Sequence, residues 1–317
     1  MFSVIIPLYN KENYIKKALD SVLCQTFQDF ELIVINDGST DNSLSIVQQY
    51  TDKRMMIFNQ SNSGVSLARN NGVKMAKFDF ITFLDGDDWW HPDFLLEMTE
   101  IIEDFPEAGI YGSKYFWVKN GKQKASINNQ PKNFKGYIDY IEAYTFAWWM
   151  PLHPISVVIK KSVFYEMNGF KSYLKFGEDF DLWIRIALSH KVAYTNKPLA
   201  YYNQDVNRTN RALGKKNRNK QEHFIFNLEY LSEAEKNNDK LKYLLDGLRV
   251  RALMNYYLDE NDKSQIANEL KKIDFSKQPI FYNFTYKSPI VIVKLYFFFK
   301  KIGSQIKQFL IKSKIFL

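Results

Sequence analysis

An apolar run, Phe2-Ser3-Val4-Ile5-Ile6, leads directly into a polar loop, Pro7-Leu8-Tyr9-Asn10-Lys11-Glu12. The run has the length and composition of a buried β-strand. Apolar residues three and four positions apart then predict a helix over Tyr14–Leu23. A strand, a loop and an amphipathic helix in this order form the unit from which layered α/β domains with parallel sheets are built.

The same unit repeats along the N-terminal part of the chain. Further strands are predicted over Phe30–Ile35, Met55–Asn59 and Phe78–Leu84, and helices over Ser43–Tyr50 and Val65–Met75. The sequence therefore predicts an α/β fold with a mixed, mainly parallel sheet flanked by helices.

Polar loops follow three of these predicted strands. They are Pro7–Glu12, Asn36–Asp41 and Asp85–Asp88. Ligands of such sheets bind outside the carboxyl ends of the strands. Carboxylates at three strand exits therefore predict a binding site at this edge of the sheet.

The densest group of charges is Asp85-Gly86-Asp87-Asp88, directly after the apolar Phe83-Leu84. Crowded carboxylates cost stability unless a cation is near. Magnesium-type ions are usually held by one or two carboxylates together with substrate phosphate oxygens. The group predicts a divalent metal site, for Mn or Mg, that serves a diphosphate. The alternative interpretation is a turn or helix-capping cluster before Trp89-Trp90.

Two other acidic positions allow both a functional and a structural interpretation. Asp37, at a strand exit, could accept hydrogen bonds from a base edge or make an ordinary Asp-Gly-Ser turn. In the segment Phe176–Arg185, Glu178 or Asp179 could be a general base. Asp181 in the same segment is expected to cap a helix that begins there.

The composition of the 317 residues, 46% of them hydrophobic, is that of a folded protein with a full core. The single cysteine, Cys24, excludes an intrachain disulfide and a thiolate metal cluster, and we expect it to be buried. The first residues lack the basic start and long apolar stretch of a secretory signal, so a cytoplasmic protein is expected.

The formal charge of +8 is unevenly placed, because residues 287–317 contain seven lysines and no acidic residue. The same segment sets apolar residues on one helical stripe, which predicts a helix that lies on an anionic membrane surface. A nucleic-acid-binding protein is the alternative that the sequence pI of about 9.1 suggests. Such a protein would need its basic residues along one face of the fold, whereas here they concentrate in the apolar-striped tail. No nucleic acid partner is therefore expected.

The β-strand signal ends after about Asp205, and residues 221–272 read as helices. The sequence predicts three parts: an α/β domain over 1–205, a small helical appendage over 206–286 and a basic amphipathic tail over 287–317.

Several short motifs together resemble the family 2 glycosyltransferases with the GT-A fold. The motifs are Val4-Ile5-Ile6-Pro7-Leu8-Tyr9-Asn10, Asn36–Asp41, Asn62-Ser63-Gly64 with Ala68-Arg69-Asn70, Asp85–Asp88, and Gly177-Glu178-Asp179 with Asp181-Leu182-Trp183. The resemblance covers about the first 205 residues. It implies an inverting, metal-dependent transferase that moves a sugar from a nucleotide diphosphate, expected to be a UDP-sugar, to an acceptor hydroxyl in cell-surface polysaccharide or lipid-linked glycan synthesis.

The resemblance also implies roles for individual residues. The nucleotide pocket would be lined by Pro7, Tyr9, Glu12, Asp37, Arg69, Asp85 and Gly86. Asp87 would hold the metal on the diphosphate, and Asp179 would be the catalytic base. Many members carry a histidine after the catalytic helix that assists the metal, whereas this sequence offers Asp205, which leaves the last metal ligand open.

Acceptor contacts and rival activities are less clearly encoded. Trp148-Trp149 and His153 could stack on or contact an acceptor sugar or simply pack. The basic residues of 208–218 could meet an acceptor phosphate or form a solvated loop. A nucleotidyltransferase would need a glycine- and lysine-rich phosphate loop, which Pro7–Glu12 is not. A glycosidase has no use for a nucleotide pocket, and the complete acidic set argues against an inactive scaffold.

Overall fold

The computed structural model describes residues 1–206, 219–259 and 263–300. Within it the chain divides into two compact units, Met1–Phe224 and Ile225–Leu317.

Strands and helices alternate from Phe2 to Phe83, as the sequence predicts. The strands are β1 Phe2–Leu8, β2 Phe30–Asp37, β3 Met55–Gln60, β4 Phe80–Phe83, β5 Trp89–Trp90, β6 Ala108–Lys119, β7 Lys122–Ala125, β8 Lys135–Ile138, β9 Val157–Lys160 and β10 Lys191–Asn203. The α-helices are α1 Ile15–Leu23, α2 Ser43–Val47, α3 Val65–Met75, α4 Phe94–Asp104, α5 Tyr140–Ala147, α6 Lys161–Glu166 and α7 Glu178–Ser189.

These strands form one mixed sheet in the order β3-β2-β1-β4-β9-β6-β10-β5, with β7 beside β6 and β8 beside β10. The four strands β3, β2, β1 and β4 are mutually parallel. Strand β9 runs antiparallel to both β4 and β6, and β10 is again parallel to β6. The carboxyl ends of β1, β2 and β4 therefore lie at one edge, where their polar loops meet.

Helices cover both faces of the central strands, which is why β1 and β2 are buried along their whole length. Val4, Ile6 and Leu8 pack with the buried residues of α1. On the other face α3 approaches β1 so closely that a Cβ on Gly72 would lie 2.4 Å from Ile5 Cγ2. Glycine at this position thus lets α3 pack tightly on the sheet and brings Arg69, one turn earlier, to the binding edge.

Two local predictions were wrong. Helix α7 begins at Glu178 because Gly177 precedes it with a left-handed φ of 77°, so Asp181 lies inside the helix, where it pairs with Lys171 and Arg185, and does not cap it. Cys24 ends α1 and is exposed.

The second unit is helical in its described part. Its α-helices are α8 Ser232–Asn237, α9 Asp239–Asp259, α10 Lys263–Lys271 and α11 Ile280–Lys287, and residues 290–300 are helical as well. Val250, Leu253 and Ile273 form a small core. None of the described helices combines the length and the apolar character needed to cross a membrane.

Candidate active site

A cavity of about 320 Å³ opens at the carboxyl ends of β1, β2 and β4 and beside the N-terminal ends of α3 and α7. This volume lies in the range of small-molecule sites. Of the predicted site residues, Pro7, Tyr9 and Asp37 line it from the first two strand exits. The others that line it are Arg69, Asp85, Gly86, Asp87 and Asp179.

Glu12 is the predicted site residue that does not line this cavity. Its carboxylate accepts hydrogen bonds from the backbone N–H and the side-chain amide of Asn42, at 3.0 and 2.9 Å. These bonds turn Glu12 toward the start of α2, and Lys11, which the sequence did not single out, lines the cavity in this loop.

Asp37 is a buried acceptor that organises the loop before α3. Its Oδ1 accepts from Gln60 Nε2 at 2.7 Å and from the Ser63 N–H at 2.8 Å, and its Oδ2 accepts from the Gly64 N–H at 2.9 Å. Gly64 has a φ of 90°, a conformation that favours glycine. Asp37 thus shapes the wall of the cavity as well as facing it.

Arg69 joins the carboxylates of two distant segments. Its guanidinium is 2.7 Å from Asp85 Oδ1 and 3.4 Å from Glu178 Oε1, and its side chain is 3% exposed. Burial opposes ionisation of Asp85, but the Arg69 charge holds the pKa of Asp85 below its ordinary value. Arg69 therefore fixes the loop after β4 against the first residue of α7.

Asp87 and Asp88 have different surroundings. Asp87 Oδ2 lies 2.7 Å from Lys11 Nζ at the cavity. Asp88 is 1% exposed and accepts from the Asn203 N–H at 2.7 Å, which ties the loop to the end of β10. Burial, together with the charges of Asp87 and Asp85, raises the pKa of Asp88 well above its usual value. Asp87 is therefore the carboxylate that faces the cavity, and Asp88 is the one that holds the loop.

The donor set fits a divalent ion that arrives together with a diphosphate. Asp85 and Asp87 present hard oxygen ligands to one cavity. Burial raises the pKa of Asp87, against the opposing charge of Lys11, so a cation beside this carboxylate is favoured. Among the described residues there is no group of three or more His, Cys, Asp or Glu side chains arranged for a metal. The remaining ligands would have to be phosphate oxygens or water.

Asp179 lies in the first turn of α7 and faces the same cavity. Burial, and then the charge of Glu178, raises the pKa of Asp179 to about 7. A carboxyl that titrates near neutral pH in a cavity has the properties of a general base.

The cavity also includes residues that the sequence indicated weakly or not at all. His153, Tyr202 and Asn203 lie on the side of β10. Asp205, the candidate for a last metal ligand, binds the N–H of Asn120 at 2.9 and 2.8 Å through its two carboxylate oxygens. The basic residues of 208–218 lie outside the described residues.

Comparison with known proteins gives the family. A family model described as glycosyl transferase family 2 matches residues 3–167, and the chain belongs to this family. The glycosyltransferase GlyA of Streptococcus pneumoniae is 32% identical over 216 residues, which are 63% of this chain and 30% of that protein. The glycosyltransferase YibD of Escherichia coli, of uncharacterised function, is 28% identical over 250 residues, 74% of this chain and 71% of that protein. The chain thus spans less than a third of one relative and most of the other.

Solved structures share the GT-A fold. Staphylococcus aureus TarS 1-349 in complex with UDP-GlcNAc matches with a TM-score of 0.69 at 21% identity, covering 87% of this chain and 82% of that chain. The mannosyltransferase PcManGT of Pyrobaculum calidifontis, in complex with GDP-Man and Mn²⁺, matches with a TM-score of 0.57 at 15% identity, covering 95% and 80%. At these low sequence identities, the structural similarity establishes the fold of this chain.

Proposed function

We propose that this chain is a glycosyltransferase that moves a sugar from a nucleotide diphosphate, most simply a UDP-sugar, to an acceptor hydroxyl of a glycan or lipid-linked glycan. The observation that carries the proposal is one cavity that joins the carboxylates of two strand exits, Asp37 of β2 and Asp85 and Asp87 after β4, to Asp179 on α7. Membership of the family and the UDP-GlcNAc and GDP-Man complexes of the structural neighbours support it.

The nucleoside would occupy the end of the cavity formed by the loops after β1 and β2. Tyr9 is 44% exposed at this end, so its ring is available to stack on a base. Asp37 holds the backbone N–H groups of Ser63 and Gly64 in place beside it. Glu12 would support this end indirectly, through Asn42 and α2.

The diphosphate would lie along Asp85, Gly86 and Asp87. A divalent ion held by Asp87, with Asp85 beside it, would neutralise charge on the leaving diphosphate. Lys11 is a second cation at this place, because its ammonium already contacts Asp87. A Cβ on Gly86 would lie 3.3 Å from Lys11 Cγ, which is a tight contact. Glycine at this position therefore leaves room for the Lys11 side chain beside the cavity.

Asp179 would activate the acceptor in a single displacement. The acceptor oxygen bonds to the anomeric carbon, the bond from that carbon to the diphosphate oxygen breaks, and the acceptor proton passes to Asp179. The nucleoside diphosphate leaves from the opposite side, so the anomeric configuration is inverted. Arg69 keeps the helix that carries Asp179 attached to the loop that carries Asp85.

A pH profile tests the role of Asp179. The base acts only as a carboxylate, and its pKa is raised to about 7. We therefore expect kcat/KM to rise about tenfold per pH unit below neutral pH and to level off above it. Glu178→Gln removes a charge that raises the pKa of Asp179, so it should move the inflection to lower pH. A flat profile between about pH 5 and pH 9 would contradict this assignment.

Release of nucleoside diphosphate tests the proposed function as a whole. The protein would be incubated with Mn²⁺ and UDP-, GDP- and dTDP-sugars, with water or a glycan extract as acceptor, and free nucleoside diphosphate would be measured. Release from one class of donor, absent in Asp179→Asn, supports the proposal. Failure of every donor to bind or turn over would reject it.

We further propose that the C-terminal tail docks the enzyme on an anionic membrane surface, such as the inner leaflet of the cell membrane. In its described part, the side chains of Val291, Ile292, Leu295, Phe298 and Phe299 are 50% to 64% exposed. Lys294 and Lys300 lie on the same helix. Exposed apolar side chains beside lysines suit a lipid surface of negative charge. The rest of this segment, residues 301–317, lies outside the described residues.

Vesicle sedimentation checks the membrane proposal. A chain that ends at Ser288 loses six lysines and the exposed helix, so its affinity for phosphatidylglycerol vesicles should fall more than about 100-fold. The full-length variant Leu295→Glu/Phe298→Glu should lose most of its binding to phosphatidylglycerol vesicles. Neutral phosphatidylcholine vesicles should bind neither the full chain nor the shortened chain well. Equal binding by the shortened and full chains would exclude the tail as the anchor.

A further inference from the structure

A group of aromatic rings extends from the cavity along β6 and β10. We name it the aromatic wall and define it as Tyr115, Trp117, Trp149, His153 and Tyr202. The ring centroids of His153 and Tyr202, both of which line the cavity, are 4.6 Å apart. Those of Trp117 and Trp149 are 5.3 Å apart in an edge-to-face arrangement. The group therefore meets the donor cavity at His153 and Tyr202, whereas Tyr115 is fully buried and belongs to the core.

The sheet places these rings on one face. Tyr202 of β10 is the register partner of Trp117 of β6, and Tyr115 lies two residues before Trp117. Since side chains alternate between the faces of a strand, all three point to the same side. His153 packs on this face, with its ring centroid 5.2 Å from that of Tyr115.

Trp149 forms the outer part of the wall. Trp148, with a left-handed φ of 49°, ends α5 and turns the chain toward the sheet. The Trp149 indole N–H then donates a hydrogen bond of 2.6 Å to the Tyr115 hydroxyl. The side chain nevertheless remains 38% exposed, so the indole is held at one edge while part of it is open.

The wall stands beside the helix that carries the proposed base. Helix α5, which leads to Trp149, contacts α7 through the rings of Tyr144 and Phe180, whose centroids are 5.5 Å apart. Phe180 directly follows Asp179. His153 and Tyr202 line the same cavity as Asp179, so a ligand that contacts this end of the wall would share the cavity with Asp179.

His153 supplies a polar group at the junction of wall and cavity. Its side chain is buried, at 8% exposure for the residue, and its Nδ1 has no hydrogen-bond partner. Burial lowers the pKa of His153 to about 4, so the ring is neutral at pH 7. A buried polar atom without a partner is unfavourable unless a ligand or water satisfies it.

We propose that the aromatic wall is the acceptor subsite and binds a pyranose ring of the glycan. The sugar would rest against the indole of Trp149, and His153 would hydrogen-bond one of its hydroxyls, which presents a neighbouring hydroxyl to Asp179. A ring with an apolar face and hydroxyls at its edge matches a rigid aromatic surface that ends in a neutral imidazole. This inference rests on the proposed function.

Indole NMR signals test the subsite without knowledge of the natural acceptor. The full chain, saturated with UDP and Mg²⁺, would be titrated with methyl glycosides of glucose, galactose, mannose, rhamnose, N-acetylglucosamine and N-acetylgalactosamine. At least one glycoside should shift the Trp149 indole signal, which is assigned by its loss in Trp149→Phe. The signal of Trp89, which stacks on Tyr201 outside the wall, is the internal control. No shift of Trp149 with any glycoside, or equal shifts of both signals, would overturn the proposal.

A variant with its matched control completes the test. Trp149→Ala should raise the Kd of the glycoside identified by NMR about tenfold and change the Kd of UDP by less than about twofold. Tyr137→Ala removes another aromatic side chain, 40% exposed on β8, and should change neither. Trp149→Phe keeps a ring but loses the bond to Tyr115, so an intermediate affinity is expected. Failure of UDP to bind at all would instead reject the proposed function, which separates the two failures.

Discussion

Replacing Asp179 with asparagine is expected to lower kcat by about 10²- to 10⁴-fold, the usual contribution of a general base. The amide has nearly the shape of the carboxylate but cannot accept the acceptor proton. Binding of the donor does not require that proton transfer, so the Kd for UDP should stay unchanged. The measurement is steady-state release of nucleoside diphosphate in the presence of an acceptor, together with calorimetry of UDP.

The control for this substitution is Asp139→Asn. Asp139 caps α5 by accepting from the N–H groups of Ile141 and Glu142, and asparagine caps helices about as well. Its activity should equal that of the unchanged chain. If Asp179→Asn retains more than about a tenth of the activity, Asp179 is not the base, and Glu178 becomes the candidate.

Replacing Arg69 with methionine is expected to destabilise the first unit by about 3 kcal/mol and to lower the rate of transfer at neutral pH. The substitution leaves the carboxylates of Asp85 and Glu178 without their shared partner in a largely buried place. It also removes a charge that lowers the pKa of Asp179, so any remaining activity should need a higher pH. Urea unfolding and the pH profile measure the two effects.

Arg69→Lys separates charge from geometry. Lysine restores one positive charge but cannot reach two carboxylates with a planar fork. Stability should recover in part, while kcat stays low because α7 is no longer fixed to the loop after β4. Unfolding of Arg69→Met at the same urea concentration as the unchanged chain would show that this bridge does not hold the site together.

Much of the fold could be predicted because its signals are local. Strands β1 and β2 are buried on both faces, so their residues form continuous apolar runs with a polar loop at the exit. The rule that parallel strands expose their carboxyl ends at one edge then predicts that Asp37, Asp85 and Asp87 lie close together, and all three line the cavity.

The remaining features depend on residues that are distant in sequence. Lys11 and Asp87 are 76 positions apart, and nothing in either segment indicates that their side chains meet. Likewise, the sequence Asp85-Gly86-Asp87-Asp88 does not reveal that Asp88 is the carboxylate that does not line the cavity, since that depends on the N–H of the distant Asn203, which donates to Asp88. A signal was available for α7, because Gly177 before Glu178 and Asp179 allows a helix to start earlier than Asp181.

Calorimetric titration of UDP with Mn²⁺ tests most directly whether this cavity is a donor site that works with a metal. We expect UDP to bind in the presence of Mn²⁺ and to bind at least about tenfold more weakly after EDTA treatment. In Asp87→Ala, Mn²⁺ should no longer increase the affinity for UDP. GDP and dTDP titrated in the same way identify the base that the pocket accepts. Metal-dependent binding that survives in Asp87→Ala, or the absence of binding by all three nucleotides, would contradict the account.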